Sequence, residues 1–83
     1  MTTFEFSLHL DRRVSEEADT DAIYARCRDA TIVTEGDATV VHFDRDADTL
    51  DDALRTAVAD LNAAGCRVTR VELEVDSLLA QSV

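Results

Sequence analysis

Near its N-terminus the chain carries the segment FEFSLHL, from Phe4 to Leu10, in which every large apolar side chain falls at an even position. Successive side chains of a strand point to opposite faces of a sheet, so this period of two predicts a strand with one buried face. Other parts of the chain must cover that face, and the segments after Leu10 provide the candidates.

A first helix is predicted from about Glu16 to Arg28, because Ser15 is a suitable N-cap and acidic residues follow it where the helix dipole favours them. Small and apolar side chains recur along this helix at spacings that place them on one stripe. They are Ala18, Ala22, Ile23, Cys27 and Ala30.

A second helix is predicted after Thr49, which forms a variant of the capping box with Asp52, three residues later. Gly65 is expected to end this helix, because glycine readily adopts the left-handed conformation that follows many helices. The predicted apolar face consists of Leu50, Ala53, Leu54, Ala57, Val58 and Leu61.

The β-branched runs Ile32–Thr34 and Ala38–Phe43 predict a hairpin, because Gly36 between them can take the positive φ of a tight turn. A last strand is predicted over Cys66–Val75, with Val71, Leu73 and Val75 on one face and Arg70, Glu72 and Glu74 on the other. The side chains expected in the core include Phe6, Leu8, Phe43, Leu54 and Leu61.

The elements follow one another in the order βαββαβ, and the economical way to cover their apolar faces is one sheet with both helices on one side. Right-handed crossovers make this an α+β, ferredoxin-like sandwich with a four-stranded antiparallel sheet in the order 4-1-3-2. A chain of 83 residues supports a single domain, residues 1–83, in which residues 76–83 form a C-terminal tail.

The composition is strongly acidic, with 18 Asp plus Glu against 8 Arg, no Lys and a formal net charge of −10. Such a surface repels phosphate groups, so we expect no direct nucleic-acid binding and no attraction to anionic membranes. Neither an apolar stretch of ~20 residues nor a secretory leader pattern is found, and we expect a cytoplasmic location. A high-salt cytoplasm and a GC-rich coding sequence both suit this composition.

The cysteines and histidines do not predict a metal site. Cys27 and Cys66 are expected at opposite ends of the sheet, beyond the ~7 Å that a disulfide allows, and as small buried hydrophobic residues. His9 and His42 are expected about four residues apart across the sheet, or roughly 13 Å, which is too far to share a metal ion. His42 is placed opposite Glu5, with which it would form an ion pair.

No catalytic constellation is found either, because no nucleophile has an adjacent base at a suggestive spacing. The densest charged segment contains Asp44, Arg45, Asp46 and Asp48, and it is predicted to be a solvated loop that leads into the second helix. We therefore expect no catalytic residue, no cofactor and no enzymatic activity.

Four segments carry a resemblance to a known family: Phe4–Leu8, Ile23-Tyr24 with Cys27–Thr31, Phe43–Leu50 and Ala64–Val68. In these segments the chain resembles a family of small uncharacterised bacterial proteins with an α/β, ferredoxin-like domain. In that family the domain often precedes a short helix-turn-helix DNA-binding segment. Asp76–Val83 is too short for such a segment, so we expect it to be missing here. The resemblance identifies no active site.

These observations favour a non-enzymatic protein-interaction or regulatory domain that self-associates as a homodimer. The expected surface is the sheet face that the helices leave uncovered, or a strand edge with unpaired backbone groups. The alternative is a small-ligand sensor that uses the uncovered sheet face or a cleft between a helix and the hairpin, and an enzyme is a third option. The predicted interaction surface consists of Glu5, Ser7, His9, Val40, His42 and Val68.

Overall fold

The computed structural model of the chain describes residues 2–11, 14 and 17–73. Its elements in chain order are β1 (Thr2–Leu10), α1 (Glu17–Arg26), β2 (Ala30–Glu35), β3 (Ala38–Ala47), α2 (Leu50–Ala63) and β4 (Val68–Leu73). The strands form one sheet in the order β2-β3-β1-β4, and all neighbouring strands are antiparallel. Read from the other edge this order is 4-1-3-2, so the predicted α+β fold is confirmed.

The core lies between the sheet and the helices, and the even-numbered side chains of β1 contribute to it from the sheet side. Phe4, Phe6, Leu8 and Leu10 are all buried there, as the alternation predicts. Phe6 stacks on Phe43 of β3, with ring centroids 5.4 Å apart. The helices complete this layer with small or aliphatic side chains, and the buried ones are Ile23, Leu50, Ala53, Ala57 and Leu61.

Helix α2 begins and ends where the sequence predicts. The side chain of Thr49 accepts a hydrogen bond from the Asp52 amide at 3.1 Å, which satisfies an N-terminal amide that has no partner within the helix. Gly65, with a φ of +86°, follows the C-cap Ala64. One predicted core residue of this helix, Leu54, is only partly buried at the margin of the core.

Helix α1 is shorter than predicted, and its stripe is only partly correct. Ile23 is buried inside the helix, and Cys27 is buried just after it. Ala18 is exposed instead, and Ala30 is already the first residue of β2. A methyl side chain gains little from burial, so alanine spacing alone does not fix the buried face of a helix. The predicted cap Ser15 and Glu16 lie outside the described residues.

The hairpin turns at Gly36, whose φ of +58° confirms its predicted role. Strand β3 is longer than predicted, because it continues through Asp44, Arg45 and Asp46 to Ala47, paired with the first residues of β1. The expectation of a solvated loop from Asp44 is therefore wrong up to Ala47, and only Asp48 and Thr49 separate the strand from α2.

Strand β4 is described from Val68 to Leu73, so the predicted positions of Glu74 and Val75 fall outside the described residues. Val71 and Leu73 lie opposite Leu8 and Phe6, on the helix side as predicted. Cys27 and Cys66 are buried free thiols. Among the described residues, no helix is long and apolar enough to cross a membrane.

Candidate functional site

The sheet face opposite the helices, called the open face below, is polar and acidic. Strand pairing places on it the odd-numbered residues of β1 and the residues opposite them on the other strands. Among the described residues, its acidic members are Glu5, Glu35, Asp44, Asp46 and Glu72, and its one arginine is Arg70. Val33 and Val40, adjacent to each other and partly buried, are its largest apolar side chains. The face is thus not a hydrophobic patch.

The residues predicted to form the interaction surface come together on this face, with one exception. Glu5, Ser7, His9, Val40 and His42 all belong to the open face. Val68 does not, because it lies opposite Leu10 and packs against the core.

An irregularity in β4 explains the error for Val68. Arg70 lies opposite His9 whereas Val68 lies opposite Leu10, so Thr69 is an extra residue on this strand. Such a bulge reverses the alternation on one side of it. Regular alternation would have placed Val68 beside Arg70 and Glu72 on the open face.

The predicted pairing of His42 is also wrong. His42 lies opposite Ser7, and its Nδ1 is hydrogen bonded to the Ser7 hydroxyl, while Glu5 lies opposite Asp44. His9 is therefore two residues from His42 across the strand pair, a diagonal spacing of about 7–8 Å rather than roughly 13 Å. Within the described ranges, no cluster of three or more His, Cys, Asp or Glu side chains could hold a metal ion.

A charged cluster lies on the open face where β1 meets β4. His9 Nε2 is 2.9 Å from Glu72 Oε1, and the Arg70 Nη2 atom is 3.7 Å from the same oxygen. The hydrogen bond from His9, aided by the positive charge of Arg70, lowers the pKa of the Glu72 carboxyl. Glu72 is therefore held in its anionic form beside the outer edge of the sheet.

The two edges of the sheet differ in their accessibility. At the β2 edge, the hydroxyl of Tyr24, from α1, accepts a hydrogen bond from the Ile32 amide at 3.2 Å. At the β4 edge the chain has no comparable cover within the described residues, and Val71 is 41% exposed. Edge strands present unpaired amide and carbonyl groups to any second strand, so β4 is the more available of the two.

Arg45 forms a cluster on the other side of the sheet that the sequence analysis missed. Its guanidinium binds both carboxylate oxygens of Asp29 at 2.8 and 3.0 Å, Asp60 at 3.1 Å and the Thr56 hydroxyl at 3.1 Å. It also lies 5.0 Å from the centre of the Phe43 ring. Its signal in the sequence is its odd position, because Val41, Phe43 and Arg45 share one face of β3.

The electrostatics of this cluster indicate a structural role. The hydrogen bonds from Arg45 lower the pKa of the Asp29 carboxyl. Burial, followed by the negative charge of Asp60, raises the pKa of the nearby Cys27 thiol. A thiol that is harder to ionise is a weaker nucleophile, and every guanidinium nitrogen already binds a protein acceptor. The cluster therefore joins β3, the α1–β2 connection and α2.

A shallow groove of about 360 Å³ lies along α2. It is lined by Leu54, Arg55, Val58, Ala59 and Asn62. All of these residues belong to α2, so the groove is neither on the open face nor in the helix–hairpin cleft, the two places that the ligand-sensor alternative named.

No family model, curated protein or solved structure matches this chain. The functional argument therefore depends on the geometry of the chain itself.

Proposed function

We propose that this chain is a non-enzymatic interaction domain that acts by self-association. The observation that carries the proposal is the β4 edge, which combines an exposed valine with a strand edge that no other described element covers. A second copy that pairs along β4 would satisfy main-chain groups that otherwise bind water, and it would bury the valine.

The charge of the chain opposes this association without preventing it. Two copies with a formal net charge of −10 each repel one another, and salt screens that repulsion. Added salt is therefore expected to strengthen the dimer, whereas it would weaken an interface held together mainly by opposite charges.

We expect a reversible dimer whose dissociation constant decreases as salt is raised. Sedimentation equilibrium over a concentration series, from micromolar to submillimolar, at low and high sodium chloride would measure it. Sodium sulfate is unsuitable as the only salt, because it also strengthens hydrophobic association. A strict monomer throughout both series would contradict the proposal and would favour a ligand-sensor role based on the α2 groove.

We also expect no binding of duplex DNA by this chain at physiological salt. Nonspecific DNA binding requires basic side chains that release counterions from phosphates, and the described part of the open face carries five carboxylates against one arginine. An electrophoretic mobility shift assay at micromolar protein, repeated at low salt where such binding is strongest, would test this. A retarded band that disappears as salt rises would show that the charge argument is wrong.

A further inference from the structure

We propose that two copies pair antiparallel along their β4 edges, with Val71 opposite Val71 of the second copy and Arg70 opposite Glu72 of the second copy. This inference rests on the proposed function and specifies its surface and register. It extends the sheet across a two-fold axis from four strands to eight.

The first support is the direction of the main-chain groups, which alternates along each strand. The Ile32 amide binds Tyr24 and therefore points away from β3, so the main-chain N–H and C=O of Val41, opposite Ile32, point toward β1. The main-chain groups of Leu8, opposite Val41, then point toward β3. Val71, opposite Leu8, consequently directs its N–H and C=O away from β1, to the free edge. The hydrogen bond from the Asp44 amide to the Asp29 carbonyl fits the same alternation.

The second support is the self-complementarity of the side chains. A two-fold axis at Val71 places residue 70 opposite residue 72 of the second copy, and it does so twice. Each Arg70 then faces a Glu72, and the two exposed valines meet on the helix side. Residues directly opposite in an antiparallel pair have Cβ atoms about 4.5–5.5 Å apart, close enough for ion pairs.

The neighbouring symmetric registers lack this match. An axis at Arg70 places the two arginines opposite each other, and an axis at Glu72 does the same for two glutamates, which is destabilising in either case. Hydrogen bonding does not separate these registers, because opposite residues in an antiparallel pair alternate between bonded and non-bonded pairs and the axis can pass through either kind. The charges separate them, and they favour the axis at Val71.

The third support is the local charge. The described residues of β4 carry one arginine and one glutamate, so this edge is neutral on a chain whose net charge is −10. The β2 edge offers no such balance, because Glu35 is its only charged residue and Tyr24 occupies its central outward amide.

Charge reversal tests the register. Arg70→Glu places glutamate opposite Glu72, and Glu72→Arg places arginine opposite Arg70, so each variant should dimerise at least about tenfold more weakly than the wild type. The double variant Arg70→Glu/Glu72→Arg restores opposite charges and should return to within about threefold of wild type. An equimolar mixture of the two single variants should form a heterodimer. Sedimentation velocity on each sample measures all four outcomes.

The Glu72→Arg variant distinguishes an effect of the proposed register from an effect of overall net charge. Glu72→Arg makes the chain less negative by two charges, so a purely global repulsion would strengthen its dimer, whereas the proposed register weakens it. Thr31→Glu, on the exposed open face of β2, is the matched control and should weaken the dimer no more than added salt can reverse. Circular dichroism checks that each variant is folded.

The outcomes distinguish the two proposals. A wild-type dimer whose affinity is unchanged in Arg70→Glu, or increased in Glu72→Arg, overturns the β4 register and leaves self-association standing through another surface. A wild-type monomer overturns both. Loss of dimer in each single variant, with recovery in the double variant and in the mixture, supports the register.

Discussion

Replacing Phe43 with alanine is expected to lower the free energy of unfolding by about 3–5 kcal/mol. The ring is buried at the centre of the sheet, stacks on Phe6, and lies under the Arg45 guanidinium. The substitution therefore leaves a cavity and also removes the surface on which Arg45 packs. Urea denaturation followed by circular dichroism would measure the change.

The matched control for this prediction is Phe43→Leu, which keeps most of the volume and should cost less than about 1.5 kcal/mol. A domain of 83 residues is expected to have roughly 4–12 kcal/mol of stability, so the alanine variant is expected to come close to unfolding while the leucine variant stays folded. Equal losses in the two variants would mean that Phe43 does not fill the core as described.

Replacing Arg45 with alanine is expected to cost about 1–3 kcal/mol. Removing one member of a buried ion pair typically costs about 3–5 kcal/mol, and we reduce this range because Asp29 and Asp60 retain 28% and 35% side-chain exposure. The cost arises because two carboxylates are then left close together without their cation. Arg55→Ala is the matched control, since its pair with Asp51 is exposed on both sides and should contribute at most about 0.5 kcal/mol.

The pH dependence provides an independent check on the same network. The folded pKa of Asp29 lies below its unfolded value, so its stabilisation is complete above about pH 4 and is lost as pH falls through the folded pKa. The difference in unfolding free energy between wild type and Arg45→Ala should therefore shrink below about pH 4. A difference that stays constant down to pH 2 would show that Asp29 does not gain its stabilisation from Arg45.

The sequence predicted the helices and strands correctly where a segment carries one strong local pattern. The alternation of Phe4–Leu10 identified the central strand, and Thr49 and Gly65 marked the ends of α2, because caps and periodicity depend on neighbouring residues alone. The weak alanine stripe of α1 carried no comparable signal.

The surface was less predictable, because it depends on how strands align with one another. The bulge at Thr69 moved Val68 to the core, and the β1–β3 register moved His42 from Glu5 to Ser7. The one-residue bulge exchanged the two faces of β4, whereas the two-residue difference in the β1–β3 register kept His42 on the same face, and neither shift leaves a mark in the local sequence. Arg45 was missed for a related reason, since a charged residue beside two aspartates resembles a solvated loop until its partners on other elements are known.

The hydrogen bond between Tyr24 and Ile32 would limit how far the proposed self-association can extend. A sheet with two available edges can add copies head to tail, and such growth has no natural end, as in fibres. Because the tyrosine hydroxyl occupies the central outward amide of β2, the proposed association would use β4 edges alone. Pairing of two β4 edges would use up both of them, so growth would stop at two copies. The single phenolic oxygen would thus favour a closed dimer over an open-ended polymer.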